Sequence, residues 1–133
     1  MTAEIIYRGD LRTEAMHLQS GNTIITDAPT DNQGKGEAFS PTDLVATALG
    51  SCMMTLMGIV AQRHQIDLSG MRASITKNMQ ANPRKIASIE IVFAMPPAIT
   101  EPKMRQILEN AARTCPVALS LDKEILQIVD FQY

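Results

Sequence analysis

The chain has 133 residues, 45% of them hydrophobic, and a formal charge of −2. That is enough apolar material for the core of a single domain over residues 1–133, and the singly scattered basic residues form no cationic patch for nucleic acid. Trp is absent and aromatic residues are scarce, so the nine methionines and the aliphatic residues are expected to fill the interior, or an interface, in place of rings. No signal peptide or transit sequence is apparent, which predicts a cytoplasmic protein.

In chain order, Ala3 to Arg8 and Leu11 to His17 read as β-strands joined by a two-residue turn at Gly9-Asp10. Ser20-Gly21-Asn22 marks a second turn, and Thr23 to Thr26 a third antiparallel strand. Residues 28–39 have no period and contain Pro29, Gly34 and Gly36, which predicts a connector of the length that often carries function. Gly34-Lys35-Gly36 opens no helix as a phosphate loop must, and reads as loop flexibility.

The stretch from Ser40 to His64 predicts one long helix. Ser40 suits the N-cap, Pro41 the first helical position, and Asp43 puts negative charge in the first turn. Leu44, Val45, Ala48, Leu49, Cys52, Met53, Leu56 and Val60 recur at helical spacing, and Met54, Met57 and Ile59 keep the other faces apolar. Thr47, Gly50, Ser51, Thr55 and Gly58 dilute the run too far for a membrane span, so a buried core helix is expected. One sheet can cover only one side of such a helix. A second copy of the chain is therefore inferred, with Thr47, Gly50, Ser51 and Gly58 letting its helix approach closely.

Gly70 to Gln80 alternates Met71, Ala73, Ile75 and Met79 with polar residues, Lys77 being the misfit, and predicts a half-buried strand. Ala81-Asn82-Pro83 turns the chain into a longer strand, Lys85 to Met95, with Ile89, Ile91, Phe93 and Met95 on one face. Thr100 is expected to cap a second helix whose stripe of Met104, Ile107, Leu108, Ala111 and Ala112 ends on Cys115. Pro116 should break that helix and start a short one to Leu121, before a last strand from Glu124 to Phe131. The order βββ-α-ββ-α-β describes an α+β domain on mostly antiparallel sheet.

The two cysteines are the residues most suited to chemistry. By position Cys52 reads first as a small buried side chain, although Ser51, Thr55 and Ala48 leave a small polar gap beside its sulfur. Cys115, just before Pro at a helix start, sits where free N–H groups favour a thiolate. His17 and His64 lack the spacing of a zinc site with these cysteines.

The run Ser-Pro-Thr-Asp-Leu-Val-Ala-Thr-Ala-Leu-Gly-Ser-Cys52, the later Cys115-Pro116-Val117 and the order of elements between them resemble the OsmC/Ohr family of osmotically induced and organic-hydroperoxide-resistance proteins. The resemblance covers nearly the whole chain. It implies an OsmC-like fold, an intertwined homodimer around two long central helices, and active sites at the subunit interface. It also implies a thiol-dependent reduction of organic hydroperoxides without a cofactor or metal, Cys52 being the peroxidatic and Cys115 the resolving thiol, with a dithiol reductant reopening their disulfide. The family's peroxidases hold the thiolate with an Arg from the N-terminal strands, here Arg12 or, as the alternative, Arg8. Their Glu after the helix-starting Pro is replaced by Thr42, with Asp43 the nearest carboxylate, which suggests a more distant OsmC-like branch. The alternative is a non-catalytic protein that binds a small hydrophobic ligand in the dimer crevice.

Overall fold

The computed structural model describes residues 1–133, which divide into two compact units, residues 1–45 and 46–133. In the first, β1 (Ala3–Gly9), β2 (Arg12–His17) and β3 (Thr23–Asp27) form an antiparallel meander in that order. The first hairpin turns one residue later than the sequence suggests. Asp10 and Leu11 both take positive φ, 51° and 62°, and Gly9 pairs with Arg12 after a register shift that leaves Arg8 unpaired. Two positive φ values match the right-handed twist of the flanking strands, and Gly9, at φ 84°, absorbs the irregularity just before them. β3 runs one residue beyond the expected end, and its register sets Asp27 directly opposite Arg12.

The connector after β3 is folded back on the strand ends. Ala28 N–H donates to Leu11 O at 3.2 Å, Asp27 N–H to Phe39 O at 3.0 Å, and Gly36 N–H to Ala28 O at 3.2 Å. A Cβ at Gly34 would lie 1.6 Å from the Ala28 carbonyl oxygen, so this glycine serves close backbone approach where the sequence suggested flexibility. In this unit the fully closed side chains are polar, Thr26, Asp27 and Ser40, whereas Ile5, Ile6, Tyr7, Ile24, Ile25 and Phe39 are all more than half exposed. Ile5 and Ile6, like Ile24 and Ile25, are successive strand residues and point to opposite faces of the sheet.

Helix α1 (Pro41–Arg63) starts as the sequence predicts. Asp43 N–H donates to Ser40 Oγ at 3.1 Å and Ser40 N–H to Asp43 Oδ2 at 2.9 Å, a reciprocal cap. Its buried face is Ala46, Leu49, Gly50, Met53, Met57 and Ala61, while Val45, Ala48 and Ile59, expected to be apolar contacts, are exposed. Gly50 is taken up by the sheet: a Cβ there would meet Ile75 Cδ1 at 2.5 Å, so its role is helix-on-sheet approach. By length and composition α1 could cross a membrane, yet Leu49, Met53, Met57 and Ala61 are closed into the core, and it is a core helix.

The second unit continues with β4 (Arg72–Gln80), β5 (Lys85–Ala94), α2 (Pro102–Arg113), α3 (Pro116–Ser120) and β6 (Leu126–Gln132). β4 and β5 pair antiparallel through a turn with a cis Asn82-Pro83 bond. β6 returns parallel to β5 after the helices, as a crossover over one sheet allows. The fold is thus α+β on two three-stranded sheets, in which the β5–β6 pairing departs from the antiparallel rule. α2 begins at Pro102 with Glu101 at the cap, not at Thr100 as expected, because Pro102 supplies the fixed φ of the first turn. Ile89, Ile91 and Phe93 of β5, Leu108 and Ala112 of α2 and the buried face of α1 make one core, with Phe93 stacked on Phe131 at 5.3 Å.

Candidate active site

Cys52 lies midway along α1, half-buried, and Cys115 lies at the break between α2 and α3, fully buried. The break follows from Pro116. Cys115 takes extended backbone, φ −65° and ψ 145°, and becomes the N-cap of α3, its Sγ accepting the Ala118 N–H at 3.3 Å. Cys52 lies near enough to this sulfur to affect its ionisation. Burial pushes the Cys115 thiol up; the Ala118 N–H pulls it back, and the neighbouring Cys52 adds to the rise. The expectation that the helix start favours a Cys115 thiolate is thereby corrected. α3 is a single short turn, and the desolvation of a closed sulfur outweighs the N–H groups that it offers. What results is an unsymmetrical pair of free thiols, one reachable and one closed.

Arg12 sits on β2 in a cluster of carboxylates that the sequence did not reveal. Its Nη2 lies 3.5 Å from Asp27 Oδ2 and is ion-paired with Glu37, whose own N–H donates to Asp27 Oδ2 at 3.0 Å. The Glu37 N–H and the guanidinium hold the Asp27 carboxyl below the usual range against its burial, and the two acids raise Arg12 further. Arg12 Nε and Asp27 Oδ1 are closed from solvent with no partner. Arg8 instead pairs with Glu14 at 3.0 Å on the exposed face of the first hairpin. Asp43 is engaged in the helix cap, and the Thr42 hydroxyl lies 3.2 Å from Ser40 Oγ. Asp27 was legible in principle: carrying the meander's alternation one residue further sets it against Arg12 as an opposite-charge cross-strand pair. Glu37, in an aperiodic loop, left no such signal.

Grooves of ligand-like size in the second unit lack such chemistry. One, about 540 Å³, lies between the end of α1 and the start of α2 around His64, Ile66, Ile99 and Met104. Another of about 390 Å³ runs between α1 and β4 past Thr47, Ser51 and Met54, one residue from Cys52.

No curated protein sequence matches the chain. The profile of OsmC-like proteins matches residues 34–128, a span that includes both cysteines. A crystal structure from Psychrobacter arcticus 273-4, provisionally described as an osmotic stress induced and detoxification response protein, is 51% identical over 99% of this chain and 96% of its own, with a TM-score of 0.95. An organic hydroperoxide resistance protein OsmC from Legionella pneumophila shares the fold at 15% identity and a TM-score of 0.78, covering 100% of this chain and 98% of that one. So does a Vibrio cholerae protein provisionally described as an organic hydroperoxide resistance protein, with captopril bound in one of its active sites, at 16% identity and 0.71 over 98% and 91%. With its profile match, and with a relative that is half identical from end to end, the chain belongs to the OsmC-like protein family.

Proposed function

We propose that the protein is a thiol-dependent reductase of organic hydroperoxides that acts in the cytoplasm as a homodimer. The observation that carries this reading is a half-buried Cys52 close enough to a closed Cys115 to affect its ionisation. In the first step the Cys52 thiolate attacks the outer oxygen of ROOH, the O–O bond breaks, RO⁻ leaves and takes a proton to become ROH, and Cys52 becomes a sulfenic acid. The Cys115 sulfur then attacks the Cys52 sulfur, the S–OH bond breaks, and the hydroxyl leaves with the Cys115 proton as water. A dithiol reductant reopens the disulfide by exchange and leaves as its own disulfide.

The raised Cys115 thiol suits this order, since a closed, protonated sulfur does not compete for the peroxide and needs only to reach Cys52. Arg12 is the cation that we assign to the Cys52 thiolate, in keeping with the family's peroxidases. The dimer is supported by residues 1–45, where a three-stranded sheet with exposed isoleucines on both faces lacks an apolar core of its own.

The test is intact mass and peptide mapping after an equimolar organic hydroperoxide, with hydrogen peroxide in parallel. A Cys52–Cys115 disulfide forming faster with the organic oxidant is expected. Cys52→Ser should abolish peroxide consumption, and Cys115→Ser should leave a trappable sulfenic acid. Thiols that stay unchanged would refute the reductase reading and favour a binder of small hydrophobic ligands.

A further inference from the structure

We infer that Asp27 is the positioning residue for Arg12, doing from the end of β3 what a Glu at the head of the central helix does in the family's peroxidases, with Glu37 as a releasable second partner. The inference rests on the reading of Arg12 as the thiolate's cation. Thr42 stands where that Glu would be, and Asp43, the nearest carboxylate, is committed to the Ser40 cap. The acids that do reach Arg12 are Asp27 and Glu37.

They differ in how firmly they are held. The Asp27 side chain is 0% exposed, faces Arg12 across the β2–β3 register, and is fixed by the Glu37 N–H at 3.0 Å. The Glu37 side chain is 60% exposed and comes from the loop, where water and salt screen its pairing. The closed, unpartnered Arg12 Nε and Asp27 Oδ1 belong to the same pair of side chains. Nε and Nη2 donating to both oxygens of one carboxylate is the two-pronged arrangement that guanidinium groups favour, and only the second prong remains to be closed. Two carboxylates against one guanidinium leave the cluster at a net charge of about −1. For Arg12 to offer positive charge to a thiolate, one acid must swing aside, and only Glu37 is free to move into solvent. Asp27 therefore aims the guanidinium, and Glu37 competes for it.

The two acids then have effects of opposite sign, which a merely structural role would not give. The test uses the full chain and measures the rate of Cys52 alkylation by iodoacetamide across pH, with the modified residue read by peptide mapping. Asp27→Asn, nearly isosteric, should slow alkylation at neutral pH on the order of tenfold, as Arg12→Ala should. It should have no further effect in the Arg12→Ala background. Glu37→Gln should leave the rate unchanged or raise it. An Asp27→Asn profile equal to wild type, an effect that adds to that of Arg12→Ala, or a Glu37→Gln loss equal to that of Asp27→Asn would overturn the assignment. Should Asp27→Asn fail to fold, the wild-type protein still decides. A sharp Arg12 Nε–H resonance, assigned by its absence in Arg12→Lys, is expected at neutral pH, and one broadened by exchange with solvent would overturn the clamp. Wild-type protein that consumes no hydroperoxide, but whose Cys52 profile follows Asp27 in this way, would refute the peroxidase reading and leave Asp27's role standing.

Discussion

Gly50→Val tests whether the close seat of α1 on its sheet is what holds the two thiols together. A Cβ at this position would stand 2.5 Å from Ile75 Cδ1, 3.6 Å from Ile75 Cγ1 and 3.9 Å from Ile91 Cδ1. Gly50→Ala needs roughly 1 Å of movement by one methyl group at the end of a flexible side chain, and regains about 0.8–1.0 kcal/mol of helix propensity, so it should remain within about 1 kcal/mol of wild type. Gly50→Val adds two methyl groups toward β4 and β5, where Ile91 is itself buried, and regains less propensity because valine is stiff at χ1. Overpacking of this kind costs about 1–3 kcal/mol. For a chain of this size, that lowers the melting temperature by about 3–10 °C. Gly50 is two residues before Cys52 on the same helix, so lifting α1 off the sheet also draws Cys52 away from Cys115. Calorimetric melting, and the rate of disulfide formation after a hydroperoxide pulse, should fall together in Gly50→Val and not in Gly50→Ala. A Gly50→Val protein with the wild-type melting temperature and disulfide rate would refute the argument.

Two further outcomes can be read without activity. The Tyr133 hydroxyl donates to Glu109 at 2.9 Å beneath the Arg105 guanidinium, and burial holds its phenol protonated well above the ordinary range. Because the folded state raises this group, its contribution to stability is complete below the unfolded value of about 10 and is lost as pH climbs from there toward the folded one. Tyr133→Phe should therefore cost about 1 kcal/mol at neutral pH and flatten the fall in stability above pH 10, measured by urea denaturation; an unchanged alkaline slope counts against the assignment. Ile24→Glu, at a residue 51% exposed in the single chain, should be nearly neutral for a monomer but should shift sedimentation toward monomer if a second copy covers that sheet. Wild-type protein that sediments as a monomer at micromolar concentration would remove the dimer altogether.

What was legible in the sequence divides along lines of physics. The Ser40-Pro41-Asp43 start of α1, the Cys115-Pro116 break and the inward face of β5 depend on contacts within a few residues or on strict alternation, and each appears where local chemistry puts it. The buried side of α1 was harder. A helix apolar nearly all round has no unique stripe, so Val45 and Ala48 looked as buried as Leu49 and Met53 although only the latter pair are closed. The parallel β5–β6 pairing follows from a crossover that no local signal reports. The Cys115 thiol was misjudged because a helix start is visible in sequence, whereas the desolvation that outweighs it depends on what packs around the sulfur.

The acid that holds Arg12 shows the same limit at the candidate site. Reading along the chain from the helix start leads to Thr42 and Asp43, which are close in sequence and already bonded to Ser40. The carboxylates that meet Arg12 come from 15 and 25 residues away, and they meet it because β2 and β3 pair in one register and the connector folds back over their ends. A one-residue slip of that register would turn Asp27 to the opposite face of the sheet and leave Arg12 with the exposed Glu37 alone. On the proposal that Asp27 aims Arg12, the hairpin register is itself a determinant of the site, because it sets the two residues opposite one another.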